Sequence, residues 1–192
     1  MYRSLTPVPG EVALISGTLA DSDLQEFAVF VNDKLADSER RFAGGARFMN
    51  GKCVNPGLAL KIYDAVRRGL PSDQYVDGSH VAWKVVGHSR FKVVMYASIS
   101  TGQGFGIHTD TGAEWDDLKR EYSKFTVLVC LSDKFSGGDT QFYDDDYAAT
   151  VRVQHARGRL LMFDINLPHS GEEVSDGTKR WIGTEIVCQR LS

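Results

Sequence analysis

The chain has 192 residues, 42% hydrophobic and 24% charged, with a formal net charge of −3. Those values sit in the range of water-soluble globular domains and exclude a disordered chain. The scattered basic residues lack the clustered positive footprint of a dedicated nucleic-acid binder, and no run of about 18 apolar residues offers a membrane span. Cys53, Cys130 and Cys188 are odd in number and far apart, without a CxxC spacing, which fits a reduced compartment. The N-terminal stretch MYRSLTPVPGEVALISG has neither the basic nor the apolar region of a secretory signal, so a cytoplasmic location is the default expectation. At this length a single domain covering residues 1–192 is expected.

In chain order, two helices come first. In DSDLQEFAVFVNDKLAD, Leu24, Phe27, Val31 and Leu35 recur at helical spacing, and Ser22 with Gln25 has the form of a capping box. In NPGLALKIYDAVRRGLP, Asn55 can cap, Pro56 suits the first helical position, Leu58, Ile62 and Val66 form the buried stripe, and Gly69 with Pro71 ends it. From about Val81 the texture changes to short runs rich in β-branched and aromatic residues between Gly, Asp and Ser clusters. VAWKVVG, FKVVMYASIS, GIHTD, FTVLVCLSD, DTQFYD, ATVRVQHA, RLLMFDI and KRWIGTEIVCQR all read as strands. The expectation is a mainly β chain with α (α+β): a helical part over about 1–80, then an antiparallel jelly-roll core over about 81–192 with the helices covering one sheet. Between two of those strands AEWDDLKREYSK (113–124) is polar, and it is expected as an exposed loop or short helix at one mouth.

Within GFGIHTDTG, His108 and Asp110 stand two residues apart, which on a strand puts an imidazole and a carboxylate on one face. His169, in MFDINLPHSGEEV, supplies a third donor. Two histidines and one carboxylate make the facial set of non-haem Fe(II) oxygenases, holding iron without saturating it. Ten residues past His169 comes Lys179, in a run that reads as a returning strand. A buried ammonium needs an anionic partner, and the distal carboxylate of a dicarboxylic co-substrate such as 2-oxoglutarate would be one. Arg180 is its neighbour, but adjacent strand residues face opposite ways, so only one of the two can point inward.

These segments resemble the prolyl 4-hydroxylase-like branch of the Fe(II)- and 2-oxoglutarate-dependent dioxygenases. GFGIHTDTG, FTVLVCLSDKFSGGDTQF and GRLLMFDINLPHSGEEVSDGTK carry the likeness over roughly residues 102–190, in the family's order. The resemblance implies a double-stranded β-helix, or jelly roll, with supporting helices; Fe(II) held by His108, Asp110 and His169; and 2-oxoglutarate paired to Lys179, with the Thr126 hydroxyl near its distal carboxylate. It implies O2 as co-substrate, and hydroxylation of an unactivated C–H bond with release of succinate and CO2. Where such enzymes often carry a tyrosine nine residues before the first histidine, this chain has Ile99, and Tyr96 lies three residues away at the opposite strand parity. Retention of Asp110 counts against a halogenating relative, in which a small residue opens that position.

An amino acid, a peptidyl residue or a small metabolite fits as substrate, with no nucleic acid or membrane involved. Trp115 and Arg120, in the segment after the metal pair, are candidate substrate residues on a lid. The acidic residues there, Asp116 and Asp117, and those of YDDDY (143–147) are expected simply to face water. His80, His88 and His155 read as structural, as do Gly137 and Gly138 in a turn, and Trp83, Phe91 and Trp181 as packing residues. The alternative function is a non-catalytic cupin-like metal-binding or interaction protein.

Overall fold

In α2 (Pro56–Gly69) the Asn55 side chain accepts the Leu58 N–H at 3.1 Å, and Leu58, Ile62 and Val66 are buried, as their spacing predicts. In α1 (Asp21–Arg41) the start differs from the capping box expected at Ser22. The helix begins one residue before Ser22, and the Asp23 carboxylate reaches back 3.4 Å to the Ala20 N–H, so the return half of the box is present without its hydroxyl half. The protein is described by a computed structural model covering residues 3–4, 12–41, 48–77, 79–110 and 115–191.

Its strands are β1 (Arg3–Ser4), β2 (Val12–Ile15), β3 (Phe48–Val54), β4 (Gln74–Val76), β5 (Ala82–His88), β6 (Val93–Ser100), β7 (Phe105–His108), β8 (Trp115–Asp116), β9 (Glu121–Cys130), β10 (Phe135–Gly137), β11 (Thr140–Tyr143), β12 (Ala149–Val153), β13 (Leu160–Asp164), β14 (His169–Gly171) and β15 (Val174–Arg190). Eleven of these make one antiparallel sheet, ordered β1-β2-β13-β9-β15-β5-β4 with β6 and β3 beside β15, and β12-β11-β14-β7 make a second. This is the jelly roll that the sequence predicts. The residues before 81 are more than helical, however: β2 adds to β13 and β3 adds to β6, so the large sheet draws strands from both parts of the chain.

Strand parity divides the core into layers. Val127, Val129, Ile182, Ile186 and Val94 face the helices with Phe27, Val31, Leu58 and Ile62. Alternate residues of the same strands face the small sheet, where Phe142, Val153, Leu161 and Phe163 fill one end and Ala97, Ile99 and Val174 line the other. Between the two sheets lies a cavity of about 440 Å³.

Two local expectations are corrected. Asp110 is not on the strand with His108: β7 ends at His108, and the Asp110 N–H donates 3.0 Å to the Ile165 carbonyl, just past β13. The chain here is crossing from the small sheet to the large one. The described part of 113–124 is neither loop nor helix but a hairpin, with Trp115 opposite Tyr122 and Asp116 opposite Glu121; residues 113 and 114 lie outside the described residues.

Candidate active site

His108 and His169 face each other directly across the β7–β14 ladder, with ring centroids 4.3 Å apart. The glycine-rich approach has a steric reason: a Cβ on Gly104 would lie 2.6 Å from the Gly171 carbonyl oxygen, so only glycine lets the segment entering β7 come this close to β14. The Nδ1 atoms lie 2.8 Å from the Gly106 carbonyl (His108) and 2.9 Å from the Leu167 carbonyl (His169). Carbonyls only accept, so both protons sit on Nδ1 and both Nε2 lone pairs are left free for a ligand. The Nε2 atoms lie 3.8 and 3.9 Å from Asp110 Oδ1, too far for hydrogen bonds, and the three donor atoms all fall within 4.8 Å of one another. Burial holds the His169 pKa below the ordinary imidazole value, against the Leu167 hydrogen bond and the Asp110 charge, which favours the neutral form that can bind metal. By donor type and spacing, the set fits a divalent ion such as Fe(II).

Thr126, on β9, points to this end of the cavity. Its hydroxyl donates to Asp110 Oδ2 at 2.5 Å, leaving Oδ1 toward the histidines. A hydroxyl has one proton, so while it serves Asp110 it has none for a distal carboxylate. The ladder agrees: Thr126 is opposite Glu185, six residues along β15 from Lys179, or roughly 20 Å of strand. The sequence expectation for Thr126 therefore gives way to contact with a metal-site carboxylate.

At the other end, Lys179 is 3% exposed while Arg180 faces solvent, so of the two neighbours the lysine points inward. Its Nζ donates 2.5 Å to the Gly138 carbonyl. Burial lowers its pKa to about 8, opposed by the nearby Cys130 and Asp139. Gly138, read from sequence as a turn glycine, has a second role. It has φ +67, and a Cβ there would lie 2.9 Å from Val174 and 3.2 Å from the Lys179 side chain. The sequence reading also missed Thr140. This buried residue lines the cavity, and its hydroxyl lies 2.8 Å from His155 Nε2. Burial first, and then the Lys179 and Arg159 charges, drive the His155 pKa well below the ordinary value, so the ring is neutral. If Nε2 carries its proton, it donates to Thr140 and frees the threonine hydrogen for a ligand. The signal for this end was the GGDT run, two glycines shaping a turn before a buried threonine.

Other candidates lie elsewhere. Arg120, with φ +55, closes the 117–120 turn, and its carbonyl accepts from Arg190 N–H. It does not line the cavity; the Trp115 side chain lies outside the described residues. Asp116 pairs with Arg90 at 2.9 Å, Asp117 accepts from the Tyr122 hydroxyl, and Asp144 of YDDDY closes its own turn through the Asp146 and Ala148 N–H groups. His80 is exposed in a turn, and His88 bonds the Ser89 carbonyl. The β6–β15 register runs without a shift and puts Ile99 opposite Lys179. Tyr96 borders the cavity beside Gly51, but its ring packs edge-on against Phe30 on the helix side, with centroids 6.1 Å apart at 87°.

A jelly roll with two histidines and a carboxylate at one end of its cavity and a buried lysine at the other is the arrangement of an iron- and 2-oxoglutarate-dependent oxygenase. The model of the 2OG-Fe(II) oxygenase superfamily matches residues 91–187, half of the chain, and the chain belongs to that superfamily, which uses Fe(II), 2-oxoglutarate and O2. Similar solved structures include the viral collagen prolyl hydroxylase of Paramecium bursaria Chlorella virus-1 in its 2OG complex (17% identity, 96% of this chain and 97% of that one, TM-score 0.59). A Pseudomonas putida prolyl-4-hydroxylase (14%, 95% and 94%, 0.58) is another. So is a Trichoplax adhaerens prolyl hydroxylase, solved with a peptide fragment of the hypoxia-inducible factor oxygen degradation domain (16%, 95% and 84%, 0.55). At these identities the likeness is one of fold. No curated protein matches by sequence. Among the described residues no helix is long and apolar enough to cross a membrane.

Proposed function

We infer that this protein hydroxylates an unactivated C–H bond of an amino acid, a peptidyl residue or a small metabolite, and that residues 1–192 act as one catalytic domain. The observation that carries this reading is the convergence of His108, Asp110 and His169 in the same cavity as the buried Lys179. Bound Fe(II) and 2-oxoglutarate would supply the oxidising chemistry, oxidative decarboxylation to succinate and CO2 coupled to oxygen insertion into the substrate.

The chain supplies position and electrostatics. His108 and His169 present fixed Nε2 lone pairs, each oriented through Nδ1. Asp110 presents one oxygen because Thr126 holds the other. Lys179 and Thr140 offer an ammonium and a hydroxyl to the distal carboxylate, deep enough that water does not compete with the pairing. Met95, Phe105 and Trp181 give the rest of the cavity an apolar lining where a C–H bond can lie dry.

The test is a screen of amino acids, short peptides and small metabolites for stimulated succinate formation with Fe(II), 2-oxoglutarate and O2. The expected result is a subset of compounds that raise succinate above the substrate-free rate with matching product +16 in mass. Iron binding without 2-oxoglutarate consumption under any condition would instead assign the chain to metal-binding proteins without catalysis.

A further inference from the structure

On the large sheet, the residues of the cavity floor follow from register. Thr126 is opposite Glu185, Leu128 opposite Gly183, Gly183 opposite Met95, and Met95 opposite Lys52. By the same ladders Lys179 is opposite Ile99, and Trp181 opposite Ala97 and through it Asn50. Two lysines therefore border one cavity, at opposite ends. Lys52 is level with Gly183, two residues along β15 from the level of Thr126 and four residues, or roughly 14 Å of strand, from the level of Lys179. The two environments differ as well: Lys179 is buried, whereas Lys52 is exposed on β3.

Of the charged residues lining the cavity, Lys179 lies at the opposite end and Asp110 belongs to the triad, which leaves Glu172 and Lys52. Glu172 on the cavity wall is paired with Arg152 at 2.5 Å, and Arg152 also holds Asp139 at 3.0 Å. Lys52 makes no ion pair among the described residues, and neighbouring Asn50, on the same face of β3, adds an amide. Between them and the triad the floor is apolar: Met95, Trp181 and Leu128, whose side chain covers Gly183. Gly51, between the two polar residues, is required because a Cβ there would run into the Tyr96 ring, so the strand is fitted tightly where it presents them.

We propose that Lys52, assisted by Asn50, receives a carboxylate of the primary substrate, and that the substrate is a small apolar carboxylic or amino acid. This rests on the oxygenase reading and narrows it. β3 is two strands from β15 and three from β9, roughly 14 Å from the strand that carries Thr126. Less the length of the lysine side chain, a molecule of amino-acid size spans from ammonium to triad, its apolar part lying over Met95 and Trp181. An edge-strand lysine has another ordinary use, blocking edge-to-edge pairing of sheets, and the test separates the two.

Leucine, proline and phenylalanine, each as free acid and as primary amide, are titrated calorimetrically into the protein loaded with Mn(II) and 2-oxoglutarate without O2, and assayed for succinate with Fe(II) in air. The acids are expected to bind at least tenfold more tightly than their amides. In Lys52→Ala that ratio falls toward one, and in Lys52→Arg it is retained, while 2-oxoglutarate still binds both variants. Equal binding of acids and amides by the native protein overturns the proposal, as does an acid preference that survives in Lys52→Ala or failure of every acid to bind. A Lys52→Ala protein that self-associates in size-exclusion chromatography with its acid preference unchanged assigns the lysine to edge protection and also overturns it. Loss of 2-oxoglutarate binding by the native protein is the separate failure of the oxygenase reading itself.

Discussion

At the triad end of the cavity 42% of the His108 side chain and 27% of that of Asp110 are exposed, whereas Lys179 at the opposite end is 3% exposed and, among the described residues, bonded only to a carbonyl. The open end has donors on three separate segments, β7, the crossing after it and β14, each fixed by a backbone carbonyl or by Thr126. The closed end has one cation whose pKa burial has lowered to about 8. An end that must admit dioxygen and substrate relies on many short positioning contacts. On the proposed function this second end only has to hold a carboxylate, and it would do so by desolvation, which strengthens one charge pair and penalises the empty state.

The sharpest break of this comparison is His169→Ala. Removing a donor outright should cost iron affinity more than the roughly 10- to 100-fold typical of losing an outer partner, and turnover should fall to background in a succinate assay while the fold persists by circular dichroism. Next comes Lys179→Ala, which should weaken 2-oxoglutarate binding by about 30-fold or more, in line with the 2–5 kcal/mol cost of truncating one partner of a buried charge pair, and leave iron binding intact. Unchanged co-substrate affinity by calorimetry would remove Lys179 from this role. Thr126→Val separates the two ends: it should reduce iron affinity about tenfold with little change in 2-oxoglutarate affinity for the metal-loaded protein. The reverse pattern would return Thr126 to the distal carboxylate. The mildest effect is that of pH. Lys179 pairs with a carboxylate only when protonated, and its free-state pKa is about 8, so 2-oxoglutarate affinity should be flat below pH 7 and weaken about tenfold by pH 9. Lys179→Arg should flatten that dependence.

The His108–Asp110 pair was legible in its two-residue spacing, whereas His169 and Lys179, from a distant segment, were joined to it by the donor chemistry and by the resemblance to the oxygenase family. The jelly roll was legible because alternating apolar runs between turn residues leave few other folds. What escaped was what depends on pairing between distant segments. β3 reads as FMNGKCV, with no clean alternation, and becomes a strand because β6 offers it an edge. Thr126 turns to Asp110 because the chain leaves β7 one residue after His108 and bonds to Ile165, a crossing that no local pattern marks. Gly138 looked like a turn residue until the ladder between β10 and β15 set its carbonyl against Lys179, and Thr140 like an ordinary strand residue until β11 placed it on the cavity wall. Trp115 and Arg120 were selected for adjacency to the metal pair, and the hairpin then carried them toward the far end of β15.

The most direct test of the central claim, one cavity holding iron at His108, Asp110 and His169 and 2-oxoglutarate against Lys179, is anaerobic titration of the protein with Fe(II) and 2-oxoglutarate, followed by visible absorption. The account predicts a weak charge-transfer band that saturates at one equivalent of each, is missing in His169→Ala and needs far more 2-oxoglutarate in Lys179→Ala. No band at saturating concentrations of both, or an undiminished band in His169→Ala, would contradict it.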